Sequence, residues 1–429
     1  MRLRNEFVYI IVILLMVQCA LAQPMVKETI RTNRDALYKR LISNSIQRNL
    51  SLPIADSTEE NWMRAFDAMA VTRYQSPWTN QKIKEALDSC TLRSFEFQQS
   101  LLQLVQGCFP KTWPNEINRV SNNSAFYKIR VYATVITKQT DSIRAFQQAD
   151  ILNKSVPDSS FLLLNQVFQD YIHNQFNGLN TTQLQQALQA PFIPGEVVVF
   201  SIQSKNRMVP GRAIIRLADG RFMKDSMGLF FSVPQLARSM YNLPFFLTYG
   251  NTPQGVYRMQ GTAVSKTLFI GPTPNLQLVL PGEIPVARFF GDSTITDSVW
   301  TAARYQSLLP KNLQNHQGLY ESLYAGLLGR SEIIAHGSTV DPAWYIREPG
   351  YPITPSLGCL STREWWDETT GRLQESDQQK LTQAVIQAGG TRGLLVVVNW
   401  EDVTDPISPA HIDQLLSAAS LPPNQPPAP

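Results

Sequence analysis

The stretch "APFIPGEVVVFSIQSKNRMVPGRAIIRLADGRFMKD", Ala190–Asp225, divides the chain. Pro191, Pro194 and Gly195 end a long helical pattern. After them come β-branched runs, Val197–Ile202 and Ala213–Leu217, separated by turn chemistry such as Ala218-Asp219-Gly220. Everything upstream reads in the helical period, and almost everything downstream reads as short strands. The expected fold is therefore α+β and multidomain, an all-α N-terminal domain followed by a mostly-β domain of sandwich type with inserted helices.

On the helical side, from Asp56 to Gln189, segments such as "NWMRAFDAMAVTRYQ", "RSFEFQQSLLQLVQGCF" and "SSFLLLNQVFQDYIHNQF" carry apolar residues three and four apart. Phe66, Phe97 and Phe126 recur at roughly 30-residue intervals. That spacing fits stacked helix pairs or a plain bundle, with the aromatic rings as core. On the other side, further strands are expected at Gly255–Met259, Thr262–Val264, Leu276–Leu280, Glu332–Ala335 and Gly393–Val398. Helices are expected at Val233–Tyr241, at Asp297–Leu309 and in "DQQKLTQAVIQAG". The domains so bounded are 23–55, a linker with a helix; 56–190, all-helical; 195–402, mostly β; and 403–429, a Pro-rich tail.

Residues 1–22 read as a signal peptide. Arg2 and Arg4 precede an apolar run, Phe7–Val17, and Ala20-Leu21-Ala22 supplies a small-x-small cleavage site. The expected location is the periplasm or cell envelope. A net charge of +4 without basic blocks gives nucleic-acid binding no support. Signal removal takes Cys19 and leaves Cys90, Cys108 and Cys359. Cys90 and Cys108 can pair in an oxidising compartment, though their spacing alone does not establish it. Cys359 would then be the odd thiol.

A cysteine nucleophile needs a base for its proton. Of four histidines, His336 follows the apolar run Ile333-Ile334-Ala335 and precedes Gly337-Ser338, at a strand end. Cys359 follows in its own small-residue turn, where Gly358 allows close backbone approach and adjacent N–H groups can converge on an oxyanion.

"AHGSTVDPAWYIREPGYPITPSLGCLS", Ala335–Ser361, resembles the active-site signature of the L,D-transpeptidases (YkuD-type domain), and "YGNTPQGVYRM", Tyr249–Met259, resembles that family's Thr-Pro-x-Gly strand start. The resemblance covers about 245–362 and leaves the helical half unmatched. It implies an exported cysteine acyltransferase acting on peptidoglycan stem peptides. Cys359 would form a thioester with release of D-alanine, and an amine of a second stem would resolve it into a 3-3 crosslink. The same site run with water would give an L,D-carboxypeptidase or crosslink hydrolase, and a site without catalysis would leave a wall-binding module on a helical scaffold. His336 matches the general base, with the Gly337 carbonyl orienting it. The backbone N–H groups of Leu357, Gly358 and Cys359 match the oxyanion hole. Ser356, Ser338, Ser361, Arg363, Trp344 and Tyr345 are the expected substrate contacts. Leu357 stands where many members carry His, and Ser361 where Arg or Asn is common. No metal or organic cofactor is implied, and the helical half is expected to dock a cell-envelope partner.

Overall fold

The computed structural model describes residues 24–419; the expected signal peptide and the last ten residues lie outside that range. Residues 31–50 form one helix, in which α1 (Arg31–Arg40) runs on through a π segment, Leu41–Gln47, into Arg48–Leu50. Then come α2 (Glu59–Thr72), α3 (Pro77–Ser89), α4 (Phe95–Cys108), α5 (Pro114–Asn123), α6 (Tyr127–Thr137), α7 (Ser142–Asn153) and α8 (Leu162–Ile172). Local chemistry sets their ends. Ser76 and Thr79 satisfy each other's backbone N–H groups (2.8 and 3.1 Å) with Pro77 at the first helical position. Arg73, with φ 55°, turns the chain out of α2. Phe66 and Phe97 meet in the core, ring centroids 5.5 Å apart, whereas Phe126 is 37 % exposed and packs on Phe95 instead.

After α9 (Thr181–Gln189) the strands begin. They are β1 (Val198–Ser204), β2 (Gly211–Arg216), β3 (Ser232–Gln235), β4 (Gly255–Ala263), β5 (Asn275–Val279), β6 (Ile334–His336), β7 (Leu360–Ser361) and β10 (Leu394–Trp400). Their order in one sheet is β3-β2-β1-β10-β4-β5-β6-β7, with β1/β10 and β6/β7 parallel. The small hairpin of β8 (Glu364–Trp366) and β9 (Leu373–Ser376) stands apart. The expected sandwich is realised as one sheet curled until its edges meet. Just beyond β3, Leu236 exchanges both backbone hydrogen bonds with Ser361 of β7, at 2.8 and 2.9 Å, giving a near-barrel.

Both faces of this sheet are covered, which is why Val198–Phe200 of β1 and Leu394–Val398 of β10 read as continuous apolar runs. Val199, Tyr257, Leu395 and Val397 point to the inner core, shared with Leu381 and Val385 of α13 (Asp377–Gln387). Val198, Phe200, Val396 and Val398 face the outer one, shared with Leu184 of α9 and Leu323 of α12 (Glu321–Leu327). The inner core is continuous with that of the helices. Phe97, Tyr132 and Phe168 belong to the same cluster as Tyr241, Phe245 and Phe246, and the Tyr171 ring lies 5.5 Å from that of Phe246. Helices and sheet are thus welded through the 236–250 segment.

Several expectations need correction. Val233–Tyr241 is extended, because its backbone groups bond to the cysteine loop and not to one another: Leu236 to Ser361, and Met240 N–H to Ser356 O at 2.8 Å. Asp297–Leu309 is helical only over α11 (Ala302–Gln306), which begins at the capping Thr301; α10 (Val286–Phe290) precedes it. Thr262 belongs to β4, which runs on past a register shift between Met259 and Thr262, near Gly261. The described part of the expected linker and helix, from residue 24, is tied to the β domain, since Val26 N–H bonds to Gly371 O at 2.8 Å and Arg31 N–H to Glu368 O at 2.8 Å. Part of the expected tail is α14 (Pro409–Ala419), whose Ile412, Leu415 and Leu416 are buried in the outer core. Cys90 and Cys108 are both buried free thiols, and Cys108 Sγ accepts from Arg73 Nη1 at 2.9 Å.

Candidate active site

Parallel pairing of β6 and β7 sets His336 opposite Ser361. Cys359 precedes Ser361 by two residues, in the turn that leads into β7. His336 and Cys359 both line a cleft of about 1080 Å³. The two side chains do not bond directly: the thiol lies 3.7 Å from Glu332 O, and His336 Nδ1 bonds to Gly337 O. That second contact fixes the tautomer, with the proton on Nδ1 and a free lone pair on Nε2. Glu332 holds a left-handed backbone (φ 60°) directly below β6.

The turn before Cys359 is wound around one hydroxyl. Ser356 Oγ accepts from Gly358 N–H (3.2 Å) and Cys359 N–H (2.8 Å), and bonds to Cys359 O at 3.0 Å. Two of the three expected oxyanion donors, Gly358 and Cys359, therefore already converge on a single oxygen. Leu357 is 44 % exposed at the cleft rim. Thr252, from the upstream motif, donates its hydroxyl to Gly358 O at 2.9 Å. The two segments that carried the resemblance are joined at the residue before the thiol.

Arg330, which sequence reading passed over, holds the 245–251 segment against which this turn packs. Its guanidinium donates to Phe245 O (2.6 Å), Asn251 O (2.8 Å) and Gly250 O (3.1 Å). Gly358 sits against it with φ +117°, and a Cβ there would come within 2.4 Å of Gly250 O and 2.5 Å of Arg330 Nη2. A Gly358→Ala variant should thus lose about 3 kcal/mol of stability, from left-handed strain and overpacking together, seen as a lower urea midpoint. Gly337 is equally constrained, since a Cβ there would overlap the Glu364 carboxylate at 2.1–2.5 Å. Burial pushes the Glu364 carboxyl up to about 7.

Burial pushes the Cys359 thiol above its ordinary value, against the pull of a backbone contact at Ile334 and of the Arg330 charge. It pushes the His336 imidazolium below its own. At neutral pH the resting pair is thiol and neutral imidazole, not a preformed ion pair. Alkylation of Cys359 by iodoacetamide should accordingly rise with pH through a midpoint above the ordinary thiol value, read by mass spectrometry of the Cys359 peptide.

Of the expected substrate contacts, Ser356, Ser338 and Tyr345 line the cleft. Tyr345 is 1 % exposed and its ring lies beneath the Arg73 guanidinium. Ser338 is tied to Thr354 Oγ1 at 2.7 Å. Three others do not reach the cleft. Ser361 is fully buried, Arg363 is engaged by Glu375 (2.8 Å) and Asp377 (3.3 Å), and Trp344 packs on Tyr38 of α1, centroids 5.6 Å apart. The loop from His336 to Cys359 is pinned at two acids. Arg31 holds Asp341 (2.7 Å), and Arg238 holds Glu348 (2.8 Å).

Among the described residues no three His, Cys, Asp or Glu side chains are grouped to hold a metal ion. No described helix is long and apolar enough to cross a membrane. Comparison with known proteins finds no match for the chain, whether among family models, curated proteins or solved structures.

Proposed function

We propose that this protein is an exported cysteine acyltransferase of the L,D-transpeptidase type, acting on peptidoglycan stem peptides. The observation that carries the reading is the convergence of Cys359, His336 and the Thr252–Gly358 bond in one cleft. The resemblance alone required those residues to meet. At about 1080 Å³ the cleft is slightly larger than the roughly 300–1,000 Å³ usual for small-molecule sites, which suits a branched peptide.

In this reaction the substrate displaces the thiol from Glu332 O, and His336 Nε2 takes the proton as sulfur attacks the stem carbonyl. The oxyanion takes the Gly358 and Cys359 N–H groups from Ser356 Oγ. Collapse expels the D-alanine amine, which leaves with the proton from His336. The acceptor amine then attacks the thioester, gives a proton to His336 and restores the thiol. Arg363, committed to Glu375 and Asp377, has no part in this scheme, so binding of the substrate carboxylate falls to other groups.

The test is incubation of the mature protein and its Cys359→Ala variant with muropeptides carrying tetrapeptide stems, read by mass spectrometry. New dimers and released D-alanine are expected for the wild type only. Stems left intact by both proteins would overturn the reading, and tripeptides without dimers would reassign it to carboxypeptidase action.

A further inference from the structure

We propose that Glu364 is a positioning residue that keeps the proton of His336 on Nδ1, acting through the single peptide group that joins Gly337 to Ser338. Its consequence for rate rests on the acyltransferase reading; its effect on the imidazole does not.

The 362–378 segment backs the turn that carries His336 and meets it with donors. Thr362 N–H bonds to His336 O at 3.0 Å, Trp366 Nε1 to Ser338 O at 3.1 Å and Gln378 Nε2 to Ala335 O at 2.8 Å. The Gly337 carbonyl is the exception in this run, since it turns to His336 Nδ1. A trans peptide is planar, so the N–H of the same group points away from that carbonyl. That N–H belongs to Ser338, and its approach is one of the interactions that favour the ionised Glu364 carboxyl. The carboxyl lies directly on this peptide, which is why a Cβ on Gly337 would fall 2.1 Å from its carbon and 2.3 and 2.5 Å from its oxygens. The bond is not closed, because Oε2 is buried without a hydrogen-bond partner. A small rotation of the peptide would satisfy that oxygen and press the Gly337 carbonyl further toward Nδ1. Carboxyl, peptide and imidazole are thus linked in series.

The acid has no counter-ion. Glu364 is 7 % exposed and makes no ion pair among the described residues, since its neighbour Arg363 is engaged by Glu375 and Asp377. Ser376 Oγ bonds to Oε1 at 2.8 Å, the Thr273 hydroxyl also faces the carboxyl, and Asp377 is the other acid beside it. An unpaired buried acid costs the fold free energy; what this one offers in return is a hold on one peptide. Glycine at 337 leaves that peptide free to rotate, so its direction needs a hold from outside. Without it the imidazole would revert to the ordinary Nε2–H tautomer, with a proton where the Cys359 proton has to go. Both the ionised and the protonated carboxyl keep an acceptor oxygen. The hold therefore survives the titration of Glu364 near 7 and leaves acylation flat across neutral pH.

Gly337-Ser338 is the only Gly-Ser pair in the chain, so labelling with 13C-carbonyl glycine and 15N-serine isolates this peptide as one NMR resonance. In the wild type its N–H signal should move downfield as pH rises through about 7. Glu364→Gln should remove that movement and leave only the one caused by His336 at lower pH. Spectra of 15N-histidine protein at pH 8, with His336 assigned by its loss in His336→Ala, report the tautomer. Wild type and Glu364→Gln should hold Nδ1–H, because the amide oxygen still accepts. Glu364→Met, similar in length but without an acceptor, should shift toward Nε2–H. Carbapenem acylation of Cys359 should be largely kept in the glutamine variant and fall roughly ten- to a hundredfold in the methionine variant. A peptide signal that moves alike near pH 7 in wild type and Glu364→Gln would overturn the proposal, as would Nδ1–H retained in Glu364→Met. Should the methionine protein fail to fold, the first comparison decides alone. A wild type that is never acylated, while peptide and tautomer signals behave as stated, would overturn the acyltransferase reading and leave the hold on His336 in place.

Discussion

A His336→Ala protein is expected to acylate Cys359 at pH 7 roughly a thousandfold more slowly than wild type, and to recover about tenfold with each pH unit thereafter. The reason lies in how burial sets the resting pair. The Cys359 thiol is pushed up and the His336 imidazolium pushed down, so at pH 7 nucleophile and base are both neutral. Wild-type acylation then depends on proton transfer during attack, and its lower limb should lie below the ordinary histidine value near 6.5. Without the imidazole, only the spontaneous thiolate reacts, and that fraction grows with pH until the thiol midpoint is passed. Stopped-flow acylation by a carbapenem, followed between pH 5 and pH 10, separates the cases. A flat neutral region in wild type and a unit slope in the variant fit a base. Parallel profiles would mean that His336 only supports the strand. Folding should change little at β6, because its backbone pairs remain and the lost side-chain bond is local, Nδ1 to Gly337 O.

Why His336 and Cys359 could be named as candidates from the sequence follows from their settings. His336 closes an apolar strand and is followed by glycine; Cys359 follows glycine and immediately precedes the next strand. Both positions are local grammar, and parallel pairing of two short strands then brings them into one cleft. The helix-to-sheet boundary near Pro191 was legible for the same reason, since periodicity changes there. The 233–241 segment was not. Val233, Leu236, Ala237, Met240 and Tyr241 are all buried, and their three- and four-residue spacing is that of a helix. Their backbone partners, however, lie on other segments: Val233 pairs with Ala213 of β2, and Leu236 and Met240 bond to Ser361 and Ser356, more than a hundred residues away, and no local pattern encodes such bonds. Arg330 was invisible for a related reason. It is an ordinary charged residue in sequence, and it gains its role from the 245–251 segment that tertiary packing brings to it. Trp344 and Arg363 erred in the opposite direction. Proximity to the motif suggested substrate contact, but Tyr38 and the Glu375/Asp377 pair had already taken them.

Arg330→Met should lower stability by about 3 kcal/mol or more and, separately, push the Cys359 thiol further up. The guanidinium donates to three carbonyls, those of Phe245, Gly250 and Asn251. Methionine fills similar length but donates nothing, and a buried carbonyl left without a partner costs about 1–3 kcal/mol. Relaxation of the 245–251 segment would recover part of the loss, so the sum falls short of three independent penalties. The same segment is bonded to the helices, since Thr248 O accepts from Gln103 Nε2 at 3.1 Å. Loosening it therefore disturbs the cleft wall as well as the cysteine turn. The electrostatic effect has its own readout. Arg330 is the positive charge that pulls the Cys359 thiol down against burial, so its removal should shift the alkylation midpoint of Cys359 upward and slow alkylation at pH 8. Arg330→Lys separates the two roles, because an ammonium keeps the charge but cannot span three carbonyls from one planar fork. It should restore most of the thiol midpoint and little of the urea midpoint. A methionine variant that unfolds earlier while its thiol titrates unchanged would reduce Arg330 to a clamp, and the pull on the Cys359 thiol would then have to come from the contacts at Ile334 and Ser356.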